Sequence, residues 1–352
     1  MSDSASSSRK IVVNLRSQDG CLTGVQRYSR ELCARLNTGI QIVTPRRPLH
    51  GVAGHLWEQT VLPVRVAKRL LWSPANTGPL AVERQVLTIH DVAPLDHPEW
   101  FESKFATWYG WMIPALARRV RYLITVSEFS KQRLVAHTGI EESRVQVIPN
   151  GVSERFYAGD IDSIRDVRTR LRIPTDHYLL SLGSIEPRKN LSRLLQAWSL
   201  CAPRLPDDVW LVVAGAEGKG HIFATATVGE IPPRVHWTGF VQDEDLPALY
   251  SGAMAMVYPS IYEGFGLPVL EAMAAGTAAI AGNSTALPEV MDGAGVLVDP
   301  YDVSAIAAAM ERIVQDREWR ERLRRSGIER SRHFSWDRAA ASTMRVLESA
   351  EV

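Results

Sequence analysis

Two glutamates, Glu263 and Glu271, bracket a glycine-rich entry to an apolar helix in YEGFGLPVLEAMAAG (262–276). The apolar run AMVYP (255–259) comes before them, and Gly264 and Gly266 permit a tight turn. Pro268 falls where a first-turn proline is favoured, so the pattern predicts a helix over 266–275. The free N–H groups around Phe265, Gly266 and Leu267 then form an anion site suited to a phosphate. A carboxylate beside a phosphate is repelled unless it finds donors of its own, and sugar hydroxyls are such donors. Carboxylates on both sides of a phosphate site therefore suit a molecule with a sugar at each end of a diphosphate, that is, a nucleotide sugar. The competing reading of this stretch makes Glu263 a helix cap and Glu271 an exposed side chain.

Other segments place polar residues just after strand-like runs. In LGSIEPRKNLSRLLQAW (182–198), Arg188 and Lys189 lie between a strand and a helix, where a planar fork and a point charge would suit a diphosphate. In LTIHDVAPLDHP (87–98), His90 and Asp91 follow a strand; for a lone histidine there, a core or capping role competes with a sugar contact. Gly20 and Gly24 flank the passage into the first helix. They do not form GxGxxG, so the dinucleotide fingerprint is missing where a dehydrogenase needs it. GAEGKG (215–220) lacks the spacing and the final Ser or Thr of a P-loop. DID (160–162) and DED (243–245) imitate an Asp-x-Asp metal motif, but DEDLPALY reads as a helix start with acidic first-turn residues. No cofactor and no essential metal are expected.

The elements that must hold these residues alternate along the chain. Strands are expected at 11–15, 40–44, 86–90, 122–126 and 145–149, and helices at 24–37, 100–119 and 127–138. The rhythm repeats with strands at 178–182, 209–214, 255–259, 278–282 and 295–299. Its helices are expected at 190–202, 244–252, 266–275, 302–315 and 317–332, with a last one at 336–349. Strand runs apolar on both faces and separated by helices argue for parallel sheets covered on both sides. The fold class is α/β, with two Rossmann-like domains facing across a cleft. The charged stretch 151–176 marks the break, giving domains 1–165 and 166–334 and a terminal helix within 335–352.

The 352 residues fit two domains. A net charge of +1 gives no electrostatic case for nucleic acid as a partner. Cys21, Cys33 and Cys201 form no CxxC pair and read as buried thiols in a reducing compartment. No signal peptide and no membrane-spanning run is legible, so the expected location is the cytoplasm. WFESKFATWYGWMIPALARRVR (100–121) mixes aromatics with basic residues, which raises peripheral contact with a membrane face against a core-packing helix.

Taken in order, TIHD, TVSEFSK, IPNGV, GSIEPRKN, VVAG, TGFV and EGFGLPVLEAMAAG resemble the retaining glycosyltransferases of family 4, which have the GT-B fold. The E-x7-E pair is filled by Glu263 and Glu271. The resemblance implies that Glu271 accepts hydrogen bonds from the ribose and that Glu263, with the N–H groups after it, holds the donor hexose. It implies that Lys189 and Arg188 neutralise the diphosphate and that His90 faces the transferred sugar. The Gly24 backbone would meet the diphosphate, Phe240 and Val241 would lie near the base, and the last helix would cross back to the first domain. Many members carry Arg five positions before the phosphate-binding Lys; here that position is Ser184, and Arg188 supplies the second charge. The wording of EPRKN and EGFGLP resembles the subset that uses GDP-mannose or GDP-deoxyhexoses in bacterial surface polysaccharides. The acceptor is then a glycan or lipid-linked glycan. A UDP-sugar donor, a non-catalytic nucleotide-sugar-binding subunit, a phosphorylase and an epimerase remain open, and acceptor loops are expected around 45–60 and 92–105.

Overall fold

The computed structural model describes residues 11–16, 23–36, 39–49, 51–157, 159–215 and 230–351. The serine-rich start, Gly20, Cys21 and residues 216–220 of GAEGKG lie outside these. The chain forms two compact units. One comprises Met1–Asp96, Thr107–Gly151 and Trp336–Val352; the other comprises His97–Ala106 and Val152–Ser335.

The first unit contains β1 (Ile11–Asn14), α1 (Gly24–Arg35), β2 (Ile40–Val43), α2 (Gly51–Val66), β3 (Leu70–Ser73), β4 (Gln85–Thr88) and α3 (Ala93–Asp96). It continues through α4 (Ser103–Arg119), of which Thr107–Arg119 belong to this unit, β5 (Tyr122–Thr125), α5 (Glu128–Thr138) and β6 (Val145–Val147). Its sheet is parallel, in the order β2-β1-β3-β4-β5-β6. The order reverses between β1 and β3, which makes that edge the switch point where ligands of open α/β sheets sit. Leu87, Ile113, Leu116, Leu123 and Leu134 form one core cluster and Val12, Trp57, Leu62 and Leu71 a second, and the strand register puts Val12, Leu71, Leu87 and Leu123 on the same face of the sheet.

The second unit contains α6 (Ile161–Arg170), β7 (His177–Leu182), α7 (Leu191–Cys201), β8 (Val209–Ala214), β9 (Val235–Gly239), α8 (Leu246–Ser251), β10 (Ala255–Tyr258) and α9 (Leu267–Ala274). It closes with β11 (Ala278–Gly282), α10 (Leu287–Met291), β12 (Val296–Val298), α11 (Val303–Gln315) and α12 (Arg317–Ser331). The parallel order β12-β11-β10-β7-β8-β9 reverses between β7 and β10. Strands β10 and β11 are buried at every position, as their unbroken apolar sequences require.

Helix α13 (Trp336–Glu351) packs on α1, β3, β4 and β5 of the first unit. Its buried residues Trp336, Ala339, Ala340, Thr343, Leu347 and Ala350 recur at helical spacing on one face. Arg35 Nε meets Asp337 Oδ1 at 2.6 Å, and Arg121 Nη1 donates to the Ala350 carbonyl at 2.6 Å.

Several elements differ from the sequence reading. Residues 51–66 form α2, overlapping the acceptor loop expected around 45–60, and β3 was not anticipated. Gly51, Gly54 and Pro63 blur the helical signal, and Val52, Leu56 and Val64 point outward, so the apolar residues mark no single face. The charged 151–176 stretch contains α6, capped by Asp160, whose side chain accepts from the Ser163 N–H at 2.9 Å. The two acidic imitations of a metal motif are therefore spent locally: Asp160 caps, while Asp243 and Asp245 pair with Arg155 and Arg170 at 2.7 and 2.8 Å.

Candidate active site

The loops after β7 and β10 meet at the second unit's switch point. The first carries Arg188 and Lys189 in a 3-10 turn, Pro187–Lys189. Asn190 closes that turn in the left-handed region (φ 61°), which asparagine tolerates. Its amide donates to the carbonyls of Pro259, at 3.0 Å, and Pro300, at 2.5 Å, tying the loop to the ends of β10 and β12. From the second loop, the Ile261 N–H donates to the Arg188 carbonyl at 2.8 Å, and Ser260 Oγ lies 2.9 Å from the same oxygen.

Glu263 is buried between these loops. Its Oε1 accepts from Lys189 Nζ at 2.6 Å, Tyr258 Oη at 2.7 Å and Ser260 Oγ at 2.7 Å, and Arg188 Nη1 lies 3.9 Å from Oε2. Burial pushes this carboxyl's pKa up, but Lys189, Arg188 and the Ser260 hydroxyl outweigh burial and hold it below the usual carboxylate range. The Tyr258 phenol is driven well up, first by burial and then by the neighbouring Glu263 charge. Lys189 Nζ also donates to Tyr258 Oη at 2.6 Å. Two of its three N–H bonds are thus committed, and the third can meet a phosphate oxygen. Arg188 Nε pairs with buried Glu186 at 2.7 Å. The constellation therefore balances two cations against two carboxylates, fixed before any ligand arrives.

Gly266 opens α9 at φ 101°, and a Cβ there would lie 2.6 Å from Leu287 Cδ2, so the turn needs glycine. Phe265 is buried edge-on to Phe334, with ring centroids 5.7 Å apart, and Leu267 is the first residue of the helix. Glu271, one turn in, is buried and accepts from Tyr250 Oη at 3.1 Å. It is thus not the exposed side chain of the competing reading. Around the same strand ends the backbone is bare. A Cβ on Gly215, after β8, would strike the Gly183 carbonyl at 1.9 Å, and one on Gly282, ending β11, would strike the Ser260 carbonyl at 2.4 Å. Ser184 is exposed, Phe240 is 46% exposed just past Gly239, and Val241 is buried.

His90 and Gly24 belong to the first unit. His90 is buried edge-on to Tyr28 at 4.7 Å, with Nε2 2.8 Å from the Pro74 carbonyl. A carbonyl only accepts, so Nε2 carries the proton and Nδ1 is the acceptor. Burial keeps the ring neutral by pushing its pKa down. Asp91 Oδ1 accepts from the Ala93 N–H at 3.1 Å, at the start of α3. Gly24 opens α1 behind a capping box, in which the Gln26 side chain accepts from the Thr23 N–H at 2.9 Å.

The sequence reading thus names Arg188, Lys189, Glu263 and Glu271 but misses the charged Glu186 and the hydroxyl partners Tyr250, Tyr258 and Ser260. A signal for two of these was available, since Tyr258 and Ser260 stand at the end of β10, where ligand-facing residues of an α/β sheet collect.

The two six-stranded parallel sheets have the GT-B fold of solved glycosyltransferases. Residues 163–330 match the family model "Glycosyl transferases group 1" and residues 70–156 match "Glycosyltransferase Family 4". The chain belongs to glycosyltransferase family 4. It is 32% identical to the O-antigen chain mannosyltransferase B of Escherichia coli over 268 residues, which is 76% of this chain and 70% of that one. It is also 32% identical to the serotype-specific mannosyltransferase WbdA of Escherichia coli, over 79% of this chain but only 35% of that longer protein. Among solved structures, Anabaena HepE in complex with UDP and glucose has the same fold at a TM-score of 0.76. That match is 18% identical and covers 97% of this chain and 100% of that one.

Proposed function

We propose that the chain is a retaining mannosyltransferase that takes GDP-mannose as donor and extends a surface polysaccharide on a glycan or lipid-linked glycan acceptor. The observation that carries the reading is the preset quartet of Lys189, Arg188, Glu263 and Tyr258 at the switch point of the second unit. Mannose comes from what the relatives are named for. In this reading the diphosphate leaves the anomeric carbon while Lys189, Arg188 and the start of α9 meet its growing charge, without a metal. Glu263 Oε1 already accepts from three donors, which fixes the carboxylate and leaves Oε2 to accept from the hexose hydroxyls. The acceptor hydroxyl attacks from the leaving-group face, and its proton passes to the departing phosphate. The products are a glycoside of retained configuration and GDP. Glu271 holds the ribose, His90 faces the hexose, and Phe240 and Val241 lie by the base. The domain boundaries at 165 and 334 enter this reading as working limits for the acceptor-side and donor-side parts.

Calorimetry with GDP-, UDP- and ADP-sugars, followed by NMR of the product's anomeric proton, tests the reading. Tightest binding of GDP-mannose and an α-linked product are expected. An inverted product rejects the mechanism, preference for a UDP-sugar rejects the donor, and tight binding without turnover on any acceptor favours a binding subunit.

A second reading concerns location. No helix among the described residues is long and apolar enough to cross a membrane. Val52, Leu56 and Val64 on α2, and Trp111 on α4, are each more than half exposed, and this favours peripheral contact with a lipid surface. Flotation with anionic liposomes should retain the chain, and Trp111→Ser with Leu56→Ser should release it; equal flotation of both rejects the contact.

A further inference from the structure

The first unit has its own switch point, between β1 and β3, and it holds a buried polar cluster that the donor chemistry does not use. Glu58, on α2, is 1% exposed. Its Oε1 accepts from Asn14 Nδ2 at 2.6 Å and Thr77 Oγ1 at 3.2 Å, with Arg16 Nε 3.5 Å away. Arg16 Nη2 donates to Thr77 Oγ1 at 3.3 Å. His55 Nδ1 stands 3.7 Å from Glu58 Oε2, and the His55 ring packs on Trp108 at 5.6 Å.

This cluster is incompletely satisfied. Arg16 Nε, His55 Nδ1, Glu58 Oε2 and Trp108 Nε1 are all buried without a hydrogen bond, and they are four of the eight such side-chain atoms among the described residues. An unpaired buried polar atom costs about 1–3 kcal/mol, so a concentration of them needs a reason. The unpaired set contains donors, Arg16 Nε and Trp108 Nε1, and an acceptor, Glu58 Oε2. An anion would satisfy the donors and meet repulsion from Glu58, while a cation would do the reverse. A hydroxyl both donates and accepts, so a vicinal pair of hydroxyls answers both. Trp108 adds an aromatic flank of the kind on which the C–H face of a sugar ring packs. His55 and Arg16 keep 20% and 12% of their side chains exposed, which marks the side from which a ligand enters.

We propose that Arg16, His55, Glu58 and Trp108 form a subsite for a neutral sugar residue of the acceptor glycan, with Glu58 and Arg16 reading a pair of its hydroxyls. This rests on the glycosyltransferase reading above and names the residues by which the first unit selects its acceptor. Glu58 is a specificity-determining residue here, not a catalytic one.

Titration calorimetry on the full chain tests this with octyl α-mannopyranoside as the acceptor probe, GDP-mannose as the donor probe and inorganic phosphate as the anion probe. Wild type is expected to bind the mannoside. Glu58→Gln and His55→Ala are expected to weaken it at least tenfold, a loss of about 1.4 kcal/mol, while GDP-mannose still binds. His55→Ala leaves the Glu58–Arg16 pair in place, which keeps the test readable if Glu58→Gln folds poorly. No mannoside binding by wild type, equal binding by wild type and His55→Ala, or preferential binding of phosphate at this cluster each overturns the proposal. Failure of GDP-mannose to bind, with mannoside binding intact, sinks the donor reading and leaves this one standing.

Discussion

Replacing Lys189 by methionine removes the cation that faces Glu263 while keeping most of the side chain's length. Lys189 is 15% and Glu263 7% exposed, and their charged atoms stand 2.6 Å apart. Breaking a buried ion pair by deleting one partner costs about 3–5 kcal/mol. Tyr258 and Ser260 still donate to Oε1, and Arg188 remains 3.9 Å away, so the lower end, about 3 kcal/mol, is expected. For a unit of this size each kcal/mol moves Tm by about 2–4 °C, giving a fall of roughly 6–12 °C at pH 7. The loss must depend on pH. In the wild type the folded-state pKa of Glu263 lies below its ordinary 4.5. The stabilisation is therefore full above about pH 4.5 and fades as pH falls through the lower folded value. In the variant, burial prevails and raises that pKa, so the carboxyl protonates early and the penalty disappears in acid. Scanning calorimetry from pH 3.5 to 8 should show a gap that is wide at neutral pH and closes below pH 4.5. A fall of under 2 °C at pH 7, or a gap independent of pH, would refute the view of Lys189 and Glu263 as a mutually compensated buried pair.

Other outcomes follow from the same geometry. Gly266→Ala adds left-handed strain and a Cβ 2.6 Å from Leu287 Cδ2, and should destabilise by about 2–4 kcal/mol in urea titrations. Glu271→Gln should weaken GDP binding about tenfold by calorimetry, since a ribose diol needs a carboxylate acceptor, and Tyr250→Phe should weaken it less. His90 has a folded-state pKa below its ordinary 6.5, so the unfolded chain binds the proton more readily. Stability should therefore be full above pH 6.5 and decline as pH falls below it, and His90→Gln should flatten that decline in thermal melts.

The repeating strand–helix rhythm was legible because strands such as Ala255–Tyr258 and Ala278–Gly282 are buried on both faces and read as unbroken apolar runs. Helix α2 was not legible, because its outward face carries Val52, Leu56 and Val64, and periodicity needs a polar side to stand out. Four charged residues of the candidate site, Arg188, Lys189, Glu263 and Glu271, stood out because they follow strand-like runs where ligand-facing residues of an α/β sheet collect, whereas buried Glu186 did not. Their holders did not: Tyr258 and Tyr250 look like ordinary core tyrosines in sequence, and only the fold brings Tyr258 to Lys189 across 69 positions and Tyr250 to Glu271 across 21. The Glu58 cluster escaped for the same reason, since its members are scattered from Asn14 to Trp108 over β1, α2, the loop after β3 and α4.

A crystal structure of the chain with GDP-mannose tests the central claim most directly. The account predicts the hexose hydroxyls within about 3.2 Å of Glu263 or the N–H groups after it, the ribose hydroxyls at a similar distance from Glu271, and the diphosphate against Lys189 and Arg188. A nucleotide bound elsewhere, with Lys189 still closed on Glu263 and no contact to Glu271, would contradict it.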